Sequence, residues 1–367
     1  PESTLDQLIK DIVNKLDINQ IPDYPDAERF FRAQALANLD AFGHPDPLRP
    51  PSVEGYMFEL KLSHNNPIYS KPQKFNQTET AFLEAKVGEL YDAYKVEKST
   101  SQYNTRLVLV PFHDKITASL KAWGDQAVTK MFAKENRAEV ASWYRLTQNL
   151  RPINEITEPF YFPMPDLEDI IHFTKNSRYW SLLDIKDAFF VVEMHPDSRD
   201  ATTFTTPHGR WRFRVMPQGA KNSGTFFAKI AADTFAGIPK SELINYVDDT
   251  TNHSRRFYQH FLTQQAMYDA LRKKRLIGKL SKCHFLYPTA KVLGHIMSEF
   301  GRTPSSGHVQ AVLEMAPPRN QTEVRAFLGL LNFNREYLAN YKNYVAILDD
   351  LLRIGTNVEE VWSDEHE

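Results

Sequence analysis

Three aspartates stand where apolar runs end. Tyr179-Trp180-Ser181-Leu182-Leu183 leads into Asp184, and Leu243-Ile244-Asn245-Tyr246-Val247 leads into Asp248-Asp249. Alternation puts Trp180, Leu182 and Asp184 on one face of a strand, and the second run reads as a hairpin with its acids at the tip. Taken singly, each segment is met by ordinary turn chemistry, because aspartate favours strand ends and turns. Asp187 lies one turn beyond Asp184. If the two strands are neighbours, several negative charges converge, and such a cluster either raises its own pKa values or holds a divalent metal. Oxygen-only ligands with open positions suit Mg²⁺, which keeps waters and takes substrate phosphates. Two such ions roughly 3.5–4 Å apart are a standard clamp for in-line phosphoryl transfer.

The elements that must position these acids are mixed in type. Ser142 to Met216 reads as strand-rich, and helices and hairpins follow to about residue 297. Phe58-Glu59-Leu60-Lys61-Leu62 alternates like a strand, and Arg106 to Pro111 is a second short one. Residues 79–94 have a helical period, with Phe82, Ala85, Val87, Leu90 and Tyr94 as apolar members. Asn320-Gln321-Thr322-Glu323 is a capping pattern that opens a helix carrying Val324, Phe327, Leu328 and Leu331. Strands and helices without a βαβ rhythm argue for an α+β fold. Leu5, Leu8, Ile9, Ile12, Val13 and Leu16 recur at helical spacing, and proline-rich stretches follow at 21–25 and 44–51. Residues 1–56 therefore read as an N-terminal extension and linker, a tether within a longer precursor.

Composition sets outer bounds. The 367 residues suit two or three compact units, and 42% hydrophobic residues supply a sizeable core. A net charge of −2 gives no whole-chain basic footprint, so any phosphate-binding surface must be local. One cysteine, Cys283, excludes an internal disulfide and a multi-cysteine zinc site, and it reads as a small buried residue in a reducing setting. No apolar run approaches a membrane span, and the start at Pro1 lacks signal-peptide features, which suggests a processed or excised segment.

In order along the chain, a set of boxes resembles the reverse transcriptases of gypsy-type LTR retrotransposons and retroviruses. Leu183-Asp184-Ile185-Lys186-Asp187-Ala188-Phe189-Phe190 is similar to the family's motif A, Met216-Pro217-Gln218-Gly219 to motif B, and Tyr246-Val247-Asp248-Asp249 to motif C. Lys282-Cys283-His284-Phe285 and Val292-Leu293-Gly294-His295 resemble the lysine segment and the primer grip, and Ala326 to Phe333 the thumb. Tyr144-Arg145-Leu146 through Asn154 resembles a fingers strand. Single boxes are weak signals, but the ordered set from about residue 57 onward is specific.

The resemblance implies a right-hand polymerase of fingers, palm and thumb, with an antiparallel palm sheet packed on helices. It places fingers at 57–158 with an insertion at about 113–142, palm at 159–297 with a fingers segment at about 196–222, thumb at 298–354 and the start of a connection at 355–367. It implies a DNA polymerase that extends a DNA or RNA primer along an RNA or DNA template, using deoxynucleotides and two Mg²⁺ ions, with Mn²⁺ as the alternative. The metal positions are Asp184, Ile185 and Asp248, with Asp249 as their acidic neighbour. Asp187, Ala188 and Phe189 would line the incoming nucleotide, Phe189 as the steric gate against a ribose 2′-OH. Gln218 would lie near sugar and template base, and Arg145 on the triphosphate. Leu293, Gly294 and His295 would form the primer grip. Lys282 and Lys279 compete as the acid for the pyrophosphate leaving group. The family also implies RNase H and integrase domains of the same polyprotein, or a second chain as a dimer, and a cytoplasmic site inside virus-like particles.

The chain departs from the family in places. Asn149 stands for a usual Asp, Gly224 for a common Pro, and Phe112 for an expected lysine. About thirty residues precede Ser142 where the family has a short hairpin, leaving Lys130, Lys134 and Arg137 as candidates for the second triphosphate cation. Arg272-Lys273-Lys274-Arg275 reads as a solvated helix face, with a chance of reaching a phosphate backbone. No RNase H segment follows Glu367, so this chain is not expected to degrade RNA in a hybrid. Two rival readings are a polymerase-like subunit that grips nucleic acid without chemistry, motivated by the altered fingers, and an unrelated Mg²⁺ nuclease.

Overall fold

The structure is a computed structural model and describes residues 4–43, 52–353 and 357–361. It is α+β. Its central sheet has five strands in the spatial order Asp17–Ile18, His284–Tyr287, Tyr179–Asp184, Asp249–Ser254, Leu243–Tyr246. All neighbours are antiparallel except the first pair. Both faces are covered, which is why the Tyr179–Asp184 strand is apolar nearly throughout rather than cleanly alternating. On one face Leu183 and Phe285 join the main core with Phe227 and Tyr268 from the helices Ser223–Thr234 and Phe257–Lys274. On the other, Trp180 and Ile244 pack with Ile170, Val292 and Met297.

Polar groups are buried under this sheet. His260 bonds Ser181 Oγ (2.7 Å) and Ser254 Oγ (3.1 Å), and His253 bonds Ser177 Oγ (2.9 Å) and the Lys240 carbonyl (3.1 Å). Burial pushes His253 down to about 4; burial and the neighbouring His253 push His260 down to about 3. Both are neutral in the fold, whereas an unfolded chain takes up their protons near pH 6.5. Stability is therefore full above pH 6.5 and falls as pH drops toward 4, by about 1.4 kcal/mol per pH unit for each histidine. Melting temperatures from pH 7.5 to 5 should show this slope, made shallower in His260→Gln. A flat profile in the wild type would contradict it.

The N-terminal region is not a tether over its described part. Ile12, Leu16, Phe31 and Ala35 are fully or almost fully buried. Phe31 packs edge-on to Phe261 (5.5 Å), and Asp17–Ile18 extends the sheet alongside His284–Phe285. Arg32 closes the end of the first helix by donating to the Ile12 and Val13 carbonyls. The basic run is a solvated helix face, as expected: Arg272, Lys273 and Arg275 are exposed. Several of its side chains also contact the N-terminal region: Arg272 pairs with Asp40 and Asn38, Lys274 lies 5.0 Å over the Tyr56 ring, and Arg275 approaches Glu54. The proline-rich stretch at 44–51 lies outside the described residues.

The expected fingers hold the strand pair Leu107–Pro111 and Tyr144–Gln148 and the sheet formed by Val96–Lys98, Gly209–Phe213 and Phe204–Thr206. The expected 58–62 strand shrinks to Met57–Phe58, because the Leu60 amide bonds Ser198 Oγ instead of a ladder partner. The helix starts at Gln77 under a reciprocal Asn76–Glu79 cap. Residues 113–142 fold as the helices His113–Trp123, Ala127–Met131 and Arg137–Val140. Trp143 holds them: its Nε1 donates to Ser119 Oγ (3.1 Å), and its ring lies 5.5 Å from Trp123. The stretch from Ser142 to Met216 is more mixed than expected, with helices at Arg151–Ile156 and Leu167–Thr174 between its strands.

The expected thumb helix runs Gln321–Phe333, with Asn320 accepting from the Glu323 amide (3.0 Å). Val324, Leu331, Leu348, Leu351 and Val358 form its core, so the described part of the expected connection packs into the thumb. Residues 362–367 lie outside the described residues. Among the described residues no helix is long and apolar enough to cross a membrane.

Candidate active site

The two acid-bearing strands are neighbours, as their sequences required for a cluster. Asp184 lies directly opposite Asp249, and the register continues through Leu183↔Thr250 to Tyr179↔Ser254. The Tyr246↔Asp249 pair leaves Val247 and Asp248 as a two-residue turn. Val247 has φ 57°, a left-handed conformation costly for a β-branched residue. Such strain persists where the surroundings over-determine a turn, often at functional sites. Here it delivers Asp248 to the cluster.

The charges are unbalanced. Burial and the charges of Asp248 and Asp184 push the Asp249 carboxyl up, and Lys282 opposes them. Lys282 Nζ lies 3.3 Å from Asp184 Oδ1, whereas Lys279 meets Asp184 through its main-chain N–H (2.7 Å). Of the two competing lysines, Lys282 is thus the one whose ammonium meets Asp184, while the charge of Lys279 acts on Asp187. Cys283 is buried and pushed up to about 12, an inert thiol.

Among the described residues, no group of three or more carboxylate, imidazole or thiol side chains forms a ready metal cage. The sign of fit is the repulsion felt by Asp249, since a cation there would relieve it; a hard ion needs only one or two carboxylates, with water and substrate phosphates completing its shell. Ile185 is buried and has only its main-chain carbonyl to offer.

The motif A turn sits beside the acids. Asp187 has φ 53°, Ala188 is buried, and Phe189 is half-buried against Phe227 (6.1 Å). Burial alone would raise Asp187, but the hydrogen bond and charge of Lys95, with Lys186 and Lys279, hold it below the usual carboxylate range. A hollow of about 340 Å³ brings Arg145 and Gln218 together with Phe190, Lys86 and Lys115.

Lys86, Lys95 and Lys115 were not singled out from sequence, where a lysine looks like any solvated charge. Lys115 comes from the helical insertion and approaches the Phe112 ring (5.0 Å). Of the earlier candidates, Arg137 is tied to Asp92 (2.8 Å) and shares a separate hollow with Lys134. At the expected primer grip, Leu293 and Gly294 make a left-handed turn (φ 49° and 82°). The His295 ring is buried, stacked on Phe333 (4.9 Å) and bonded to Tyr337 Oη (2.7 Å), so this side chain ties the hairpin to the thumb helix and leaves the main chain of the turn as the part that could meet a primer.

Comparisons with known proteins agree with this arrangement. Residues 133–297 match the family described as reverse transcriptase (RNA-dependent DNA polymerase). The retrovirus-related Pol polyprotein from transposon 297 of Drosophila melanogaster is 26% identical over 349 residues, covering 95% of this chain and 31% of that protein. The corresponding polyprotein from transposon 412 is 27% identical over 312 residues, covering 84% and 23%. The chain thus spans less than a third of the length of these relatives. The foamy viral protease-reverse transcriptase in complex with double-stranded DNA superposes with a TM-score of 0.76 at 19% identity, over 99% of this chain and 58% of that one. The same type of protein in complex with an RNA/DNA hybrid gives a TM-score of 0.72 at 19% identity, over 100% and 45%. The fold is therefore the α+β polymerase fold that the motifs implied. The chain carries a reverse transcriptase domain and is related along most of its length to retrovirus-related Pol polyproteins.

Proposed function

We propose that this chain is an RNA- and DNA-templated DNA polymerase that extends a primer with deoxynucleotides. The observation that carries this reading is the register of Asp184 against Asp249, with Asp248 held beside them by a strained turn. Asp184, Asp248 and the Ile185 carbonyl would hold two Mg²⁺ ions, or Mn²⁺. When bound, such ions lower the pKa of a primer hydroxyl and neutralise a triphosphate and its leaving group.

The remaining residues have distinct tasks in this reading. The guanidinium of Arg145, with Lys115 across the same hollow, holds the triphosphate. Gln218 orients the sugar and template base, and the Phe189 ring excludes a 2′-OH. Lys282 gives its proton to the departing pyrophosphate. Relatives named as polyproteins and neighbours named as nucleic-acid complexes support template–primer duplexes as partners. The reading extends to RNase H or integrase domains of one polyprotein, or a second chain, inside cytoplasmic particles.

Primer extension on RNA and DNA templates with Mg²⁺ and deoxynucleotides tests this. Template-directed products support it. Tight duplex binding without extension in either ion would replace it with a binding subunit, and degradation of DNA without deoxynucleotides with a nuclease. Arg145→Ala should raise the deoxynucleotide KM on the order of 10–100-fold, the loss of a charge-assisted bidentate contact. A KM within twofold of wild type would remove Arg145 from the site.

A further inference from the structure

We propose that Lys95 sets deoxynucleotide affinity by neutralising Asp187 across the seam between fingers and palm, an inference that rests on the polymerase reading above. Lys95 Nζ lies 2.8 Å from Asp187 Oδ2, joining residues 92 positions apart. The lysine is held from several sides. Its amide donates to the Leu90 carbonyl (2.8 Å), and its carbonyl accepts from the Arg214 amide (2.9 Å). Its ammonium also lies 5.0 Å over the Phe190 ring, which stacks on Phe213. The Lys95 side chain is only 19% exposed, so it is already ordered where it meets the carboxylate.

Asp187 is the opposite case. Its side chain is 48% exposed, on the turn that in this reading lines the triphosphate. An uncompensated carboxylate beside a polyphosphate repels it, because a site that is only half exposed screens charge less than bulk water does. Lys95 is the cation bonded to that carboxylate, and Lys186 and Lys279 act on it through space. Lys95 therefore acts through Asp187 rather than on substrate. It is a positioning residue whose removal leaves an unpaired acid in the path of the nucleotide. The same contact braces Phe190, which lines the hollow shared by Arg145 and Gln218.

The test is steady-state extension on one RNA template at saturating primer and fixed Mg²⁺, by wild type, Lys95→Met and Lys95→Arg. Methionine keeps the apolar stem over Phe190, so folding is preserved while charge is lost. The expected result is a deoxynucleotide KM raised roughly tenfold in Lys95→Met, with kcat changed less than about threefold. Lys95→Arg, which keeps the charge, should stay within about threefold of wild type. An unchanged KM in Lys95→Met overturns the proposal. So does equal loss in Lys95→Met and Lys95→Arg with a lowered melting temperature, which would make Lys95 a structural brace. Failure of the wild type to extend at all counts against the polymerase reading instead.

Discussion

Asp248→Asn is expected to abolish primer extension while leaving the fold and duplex binding in place. Asparagine has the same shape as aspartate and suits a turn. The change removes one negative charge from a cluster in which Asp248 and Asp184 already act unfavourably on Asp249. Without metal, the variant should therefore melt no lower than the wild type. With metal, the loss should be large, because the oxygens that hold the ion determine whether phosphate charge is neutralised at the reacting centre. Several kcal/mol of barrier are involved, a rate loss on the order of 10³-fold or more. Mg²⁺ should raise the melting temperature of the wild type and not of the variant, since only a form that binds the ion is stabilised by it. Extension within tenfold of the wild type would remove Asp248 from the metal site. Asp184→Asn should behave alike in activity, although Asp184 also faces Lys282.

The second large effect is one of selectivity. Phe189→Val should admit ribonucleotides. Phe189 follows the left-handed turn at Asp187, and its ring lies 6.1 Å from that of Phe227, which backs it on one side. Shortening it opens room for one hydroxyl, a change in pocket shape worth on the order of 10–200-fold in relative kcat/KM. Loss of a half-buried ring also costs about 1–2 kcal/mol of stability. Single-nucleotide incorporation should therefore be measured well below the melting temperature, with paired deoxy- and ribonucleotides. An unchanged ratio of the two kcat/KM values would mean that Phe189 does not face the sugar.

The acid cluster was legible because apolar runs ending in aspartate have few alternatives once both are strands. The pairing of Tyr179–Asp184 with Asp249–Ser254 made the convergence concrete. The thumb helix was legible for a local reason, its Asn320 cap. What stayed hidden depends on contacts distant in sequence. Nothing local in Asp17–Ile18 marks it as a strand, and its partner is supplied by His284–Phe285. The lysines at 95 and 115 gain meaning only from Asp187 and from the hollow beside Arg145. His295 sits in a box that suggests contact with a primer, yet an aromatic partner on the thumb occupies its ring. The helices between 113 and 142 are short, and their order comes from Trp143 rather than from propensity.

The Asp17–His284 contact spans 267 residues. During synthesis at about 5–20 residues per second, the first edge of the central sheet waits on the order of ten to fifty seconds for its partner. Throughout that interval the apolar sides of the helices Thr4–Lys15 and Ala27–Ala37 have no palm to pack against. Residues 4–37 are thus made long before the strand they dock on, and closure of this edge of the sheet is a late event.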